Sequence, residues 1–290
     1  MSWQVWKERA IEALIRLCGM GSIAVVVLIF LFLLKEGLAL FRTVPPADFL
    51  LGNRWYPISE PPSFGILPLI LGSGWVTAGA IVIAVPLSVA SALFIAEIAT
   101  GWAKETLKTG IELLAAIPSV VLGFVGMAVL SPLVKQLFHL PTGLTALTGS
   151  VTLALMAMPT IVSITEDALT AVPRPYREAA LALGATRWQT MWRILLPAAR
   201  SGIVAAIMLG IGRVIGETMA VMMVTGNSAS IPHTLLQPVR TMTATIAAEM
   251  GETVQGSDHY AALFAIGIVL FIISLVVNIV ADLFLNRKRT

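Results

Sequence analysis

Arg213 and Glu217 stand inside an apolar stretch, 198–226, in the sequence GRVIGETMAV. Four positions separate them, so on a helix they share one face. An ionised group at membrane depth is costly and usually tied to function. An arginine presents a planar fork of donors that suits an oxyanion, whereas a carboxylate accepts a bond only from a ligand that carries a proton. Two readings follow. The pair is a self-neutralising tie between helices, or the two groups line an anion path on which Arg213 attracts and Glu217 repels the unprotonated anion. Glycines at 210, 212 and 216 remove side-chain bulk, so a helix or a ligand can come close.

Other residues that could do chemistry form weaker patterns. His233, Glu249, Glu252, Asp258 and His259 resemble a metal set by composition alone, without ligand spacing, so no metal is expected. The sequence holds no G-x-x-x-x-G-K-[ST], so the chain is not expected to bind ATP itself. An intramembrane enzyme would need a nucleophile–base pair or paired carboxylates, and no such pattern stands out. Neither a catalytic residue nor a cofactor is expected, and Cys18, the single cysteine, allows no disulfide within the chain.

The elements that must position Arg213 and Glu217 are membrane spans. Of 290 residues 57% are hydrophobic and 12% charged, with a mean hydropathy of +0.89, which describes an integral membrane protein rather than a soluble domain. Long uncharged runs interrupted by short polar segments predict an all-α fold with six transmembrane helices, because a helix satisfies its own backbone in lipid. They fall at about 17–40, 66–97, 111–134, 143–166, 198–226 and 260–284, in one domain spanning 1–290. Residues 41–65 and 227–259 read as external loops, the second with a short helix from Thr241 to Met250. Lys104, Glu105 and Lys108 read as a short internal loop.

The net charge of +3 comes from basic residues at the ends of spans, so it reflects topology and surrounding lipid rather than a nucleic-acid partner. Thirteen Lys and Arg fall on the inner side of this arrangement and five on the outer, which predicts cytoplasmic N- and C-termini.

One polar segment stands out between the fourth and fifth spans: EAALALGATRWQTMWRILLP, Glu178 to Pro197, within the inner loop 167–197. Pro175 suits the first turn of a helix, and Glu178 sits near that turn, where the helix dipole favours a carboxylate. Gly184 ends this helix, Thr186 and Gln189 form a capping box for a second, and Pro197 opens the fifth span. The result is a two-helix knuckle that offers Ala179 and Ala180 as a smooth docking surface.

The order EAA, three residues, Gly, nine residues, I-L-L-P resembles the cytoplasmic EAA loop of bacterial ABC importer permeases. In that family the loop forms coupling helices that dock on the nucleotide-binding subunit. The resemblance assigns this role to Glu178, Ala179, Ala180, Gly184, Ile194 and Pro197. FLLGNRWYP, FGILPLILGSGWVT, AAIPSVVLGFVG and GRVIGETMAV extend the likeness over nearly the whole chain and look like phosphate-specific importer permeases of the PstC type. The sister PstA type is the nearest confusable relative, and FLLGNRWYP favours PstC.

The likeness implies an ABC type I importer permease architecture in the bacterial inner (cytoplasmic) membrane. It also implies a PstA-type second permease, two ATPase subunits, an extracytoplasmic phosphate-binding protein and phosphate as cargo, with Arg213 and Glu217 important for transport. Hydrogen phosphate carries the proton that Glu217 could accept, and sulfate does not. The alternative is a sulfate- or molybdate-type permease that shares the EAA loop.

Overall fold

The computed structural model describes residues 3–286; the basic tail Arg287, Lys288 and Arg289, assigned above to the inner side, lies outside them. Among the described residues the regular structure is helical apart from one two-stranded hairpin and an isolated parallel bridge between Gly226 and Val239. Helix α1 (Trp3–Gly37) runs into a 3-10 turn, Leu38–Arg42. Where prolines forbid a long helix, the chain makes the short α2 (Pro46–Leu51) and the antiparallel strands β1 (Trp55–Tyr56) and β2 (Ser63–Phe64). Helix α3 (Leu67–Leu93) continues through Pro86 and ends in a π turn, Phe94–Ile98.

Two differences from expectation follow. Lys104, Glu105 and Lys108 belong to a helix, α4 (Trp102–Ala116), rather than to a loop. Helix α4 stops at the extended Ile117, and the apolar helix then starts at Ser119 with α5 (Ser119–Val125), a π turn Gly126–Leu130 and α6 (Ser131–Leu137). The break has a local cause. Pro118 caps α5 and disfavours helical backbone at the residue before it.

Helix α7 (Ala146–Thr170) is the most enclosed element, capped by the Thr145 side chain. It packs along α3, where the Ser150 hydroxyl donates to the Val76 carbonyl at 3.1 Å. The knuckle follows as α8 (Arg174–Ala182), α9 (Arg187–Thr190), a π turn Met191–Leu195 and α10 (Leu196–Ala198). Then come α11 (Arg200–Gly216), α12 (Met219–Val224), α13 (Met242–Glu249) and α14 (Asp258–Asn286). Thr241 caps α13 through its hydroxyl. Helix α1 lies against α14, with Phe30 stacked on Phe271 at 4.6 Å between ring centres.

Five helical segments are long and apolar enough to cross a membrane, and a sixth crossing arises if Arg187–Ala198 and Arg200–Gly216 count as one bent span. The bend there is 71°. Pro197 therefore does not open a straight fifth span: it sits in α10, before the turn at Ala199.

Three buried clusters run along the bundle. A central one joins α3, α7, α11 and α12 through Val76, Leu153, Ala206 and Val221. One at the knuckle end joins α3, α7, the π turn and α11 through Leu93, Leu169, Leu195 and Ile203. The third, at the hairpin end, joins Phe49, Trp55, Ile66 and Met242 to the start of α14 at Ile266. At this end the Glu249 carboxylate receives the Trp55 indole N–H at 3.1 Å, the Arg240 guanidinium, and a contact from His259 Nε2 at 2.8 Å. Helix association in lipid rests on such packing and hydrogen bonds, since burial from lipid gives little hydrophobic drive.

Candidate functional site

Arg213 lies on an exposed face of α11, and its Nη1 donates to the Thr160 hydroxyl on α7 at 3.2 Å. Glu217 is not above it on a continuous helix. The chain leaves the helix there, with Glu217 extended at ψ 132°, and restarts at Met219. Among the described residues no ion pair joins the two groups.

The break is held from two sides. The Glu217 carboxylate accepts the Ala220 N–H of α12 at 3.2 Å, and its backbone carbonyl accepts the Thr243 hydroxyl of α13 at 2.9 Å. The self-neutralising tie therefore does not form in this state, and the Arg213 fork is left with one neutral protein partner. That leaves most of its donors for an anion or for a neighbouring chain.

The glycines divide into two roles. A Cβ at Gly210 would lie 2.6 Å from Ile161 Cγ1, so this glycine lets α11 lie close to α7. Gly212 and Gly216 meet nothing within 4 Å, and they leave the surface flanking Arg213 open.

The knuckle folds as its local signals direct. Gly184 adopts φ +81°, a backbone that other residues rarely take. Thr186 and Gln189 form the capping box reciprocally, at 3.2 and 2.9 Å. Glu178 is the fifth residue of α8, beyond its first turn, so the helix dipole does not account for it. It is exposed, as are Ala179, Gly184 and Pro197, while Ile194 is half-buried and Ala180 turns inward. Only one of the two alanines thus belongs to the outward surface. Leu183, 89% exposed, projects beside Gly184, and Trp188 and Trp192 pack together on the second limb.

Three charged contacts escape sequence reasoning. Arg177 reaches from α8 to Glu97 at the end of α3 at 2.6 Å and to the Leu169 carbonyl at 3.0 Å. Buried Glu166 on α7 faces Lys108 at 2.9 Å and Lys104 at 3.6 Å on α4. The hydrogen bond that Lys108 donates to Glu166, together with the carboxylate's charge, holds the ammonium above its ordinary pKa. The third is the Glu249 cluster at the hairpin end, where Arg240 and His259 are near in sequence and Trp55 comes from 194 residues away. A charge at the end of an apolar run was the available signal for Glu97 and Glu166, but it names no partner. No group of three or more His, Cys, Asp or Glu that could hold a metal occurs among the described residues.

The architecture is a bundle of apolar helices with a two-helix knuckle after α7. Residues 84–290 match the family described as binding-protein-dependent transport system inner membrane component, and the chain belongs to that family. It is thus an inner-membrane, multi-pass permease component, and ATP hydrolysis in such systems lies in a separate subunit. It is 40% identical to the probable ABC transporter permease protein YqgH of Bacillus subtilis, over 94% of this chain and 89% of that one. It is 36% identical to the phosphate transport system permease protein PstC of Pasteurella multocida, over 83% of this chain and 80% of that one. A solved bacterial alginate ABC transporter, in complex with a pentasaccharide-bound periplasmic protein, shares the fold. Its matching chain superposes with a TM-score of 0.66 at 18% identity, covering 98% of each chain.

Proposed function

We propose that this chain and a second permease of the PstA type form the route by which inorganic phosphate enters across a bacterial inner membrane. In this reading the knuckle end and both termini face the cytoplasm, in line with the bias of basic residues. Of two ATPase subunits, one docks on this chain's coupling surface of Glu178, Ala179, Gly184, Ile194 and Pro197, which Ala180 seats from beneath, and the other on the second permease. An extracytoplasmic phosphate-binding protein delivers the anion at the hairpin end. The six crossings are those between about 17 and 284, with the fifth interrupted at Glu217.

The observation that carries the substrate is Arg213. Its guanidinium lies on an open face of α11 with Thr160 as its protein partner, and among the described residues no carboxylate pairs with it. Such a group binds a tetrahedral oxyanion through paired charge-assisted hydrogen bonds. One oxygen of Glu217 is engaged by Ala220, and the other is left to accept a proton-bearing ligand oxygen. Hydrogen phosphate offers that proton; sulfate meets two like charges instead. Relatives named as phosphate transport permeases, matched over about four fifths of the chain, support the same reading.

The test is ATPase stimulation in the reconstituted complex, comparing phosphate-loaded with sulfate-loaded binding protein. Stimulation by phosphate alone is expected. Equal stimulation by both overturns the phosphate assignment and leaves the permease class intact.

A further inference from the structure

Three features outside the anion route invite a function: the Glu249 cluster at the hairpin end, the Lys104–Lys108–Glu166 contact, and Arg177. In the first, the carboxylate is already met by three side chains, which leaves little for a ligand. In the second, α4 is tied to α7 by three side chains that all lie outside the knuckle. Arg177 differs because it lies on the knuckle itself, three residues from the motif's Ala180, and reaches two other spans.

We infer that Arg177 is a positioning residue for coupling, the joint through which helix α8 drives the second and fourth spans as one body. The inference rests on the reading that ATPase subunits dock at the knuckle. One nitrogen, Nη2, makes both bonds: 2.6 Å to the Glu97 carboxylate at the foot of α3, and 3.0 Å to the Leu169 carbonyl at the foot of α7. The side chains are enclosed, Arg177 at 25% and Glu97 at 15% exposure, so solvent screens the pair only partly.

Helices α3 and α7 pack along their lengths and share the central core, and so move together. By contrast, the covalent route from the knuckle into α11 passes a 71° bend at Ala199. A bend can absorb displacement, whereas a guanidinium nitrogen held at once by Glu97 and by the Leu169 carbonyl passes it on. Of the side chains of α8, Ala180 alone is fully buried, so apolar packing gives this helix little other hold. Arg177 also bridges 80 residues of sequence, which makes it a link from α8 to the second span that the chain itself does not provide.

The experiment uses the complete reconstituted complex carrying Arg177→Gln, Glu97→Gln, both together, or Arg177→Lys. Co-purification of the ATPase subunits reports docking, and basal hydrolysis reports their integrity. Coupling is read as stimulation by loaded binding protein and as ATP consumed per anion moved. The expected result is retained docking and basal hydrolysis, about tenfold weaker stimulation, and a raised ATP cost in each neutral variant. The double variant should be no worse than either single, as one joint requires, and Arg177→Lys should fall between. Parental stimulation in both single variants overturns the inference. Loss of co-purification in step with hydrolysis also overturns it, because Arg177 would then serve assembly. Failure of Ala179→Cys in the otherwise parental complex to cross-link to an ATPase subunit would instead remove the docking reading beneath it.

Discussion

Replacing Arg213 tests the anion route most directly, because the structure separates its effect on transport from its effect on stability. The side chain is exposed and makes one hydrogen bond, to Thr160 at 3.2 Å. Losing one such bond costs the fold about 1 kcal/mol or less. An oxyanion seated on the fork would lose far more. Two charge-assisted bonds at about 1.5 kcal/mol each amount to about 3 kcal/mol for Arg213→Gln. At about 1.4 kcal/mol per decade, uptake should fall roughly 100-fold. Arg213→Lys keeps the charge and one donor direction, so about half the loss remains and uptake should fall about tenfold. The assay is ATP-driven uptake of radiolabelled phosphate into proteoliposomes, with thermal unfolding of the same preparations alongside. Parental uptake in Arg213→Gln would refute the route. Equal losses for Lys and Gln would refute the fork and leave only the position.

Glu217→Gln keeps an acceptor for the Ala220 N–H, so the junction between α11 and α12 should survive while phosphate uptake falls; a matching drop in melting temperature would mark the residue as structural. Gly210→Ala pushes a methyl against Ile161 and should destabilise the bundle by about 1–3 kcal/mol, whereas Gly212→Ala enters open space and should leave the melting temperature unchanged. Thr186→Ala removes half the capping box and should cost the knuckle about 1 kcal/mol, read as faster local hydrogen exchange over 186–190. Lys108, held above the ordinary 10.5 by Glu166, should acylate more slowly in mildly alkaline buffer than it does in a Glu166→Gln chain. The sign follows from its raised value: the stabilising contact is complete below 10.5 and is lost only as pH rises through the higher folded value.

The knuckle was legible in the sequence because its instructions are local. Gly184 supplies the positive φ, and Thr186 and Gln189 cap each other three residues apart. Apolar runs likewise marked where helices long enough to cross a membrane occur. The interruption at Glu217 was not legible, since GETM contains no proline and its glycine is compatible with a helix. Of the two contacts that hold the break, one is the Thr243 hydroxyl, 26 residues further on. Helix α4 was missed for another reason: its lysines suggested a loop, when they are the polar face of a helix reaching Glu166. Arg177 and Glu97 each looked like an ordinary terminal charge, and nothing within 80 residues of either pointed to the other.

The Glu249 cluster carries a consequence for how the chain is made. Its carboxylate meets Trp55, 194 residues earlier, and His259, at the start of the final helix. Synthesis runs from the N-terminus, so β1 and β2 emerge long before the group that fastens them. Until α13 and the head of α14 arrive, the Trp55 indole lacks its carboxylate and the surrounding apolar cluster lacks Met242 and Ile266. The cap at the hairpin end therefore closes only when the last helix is in place, and a chain that ends before Glu249 has a hairpin without its fastening.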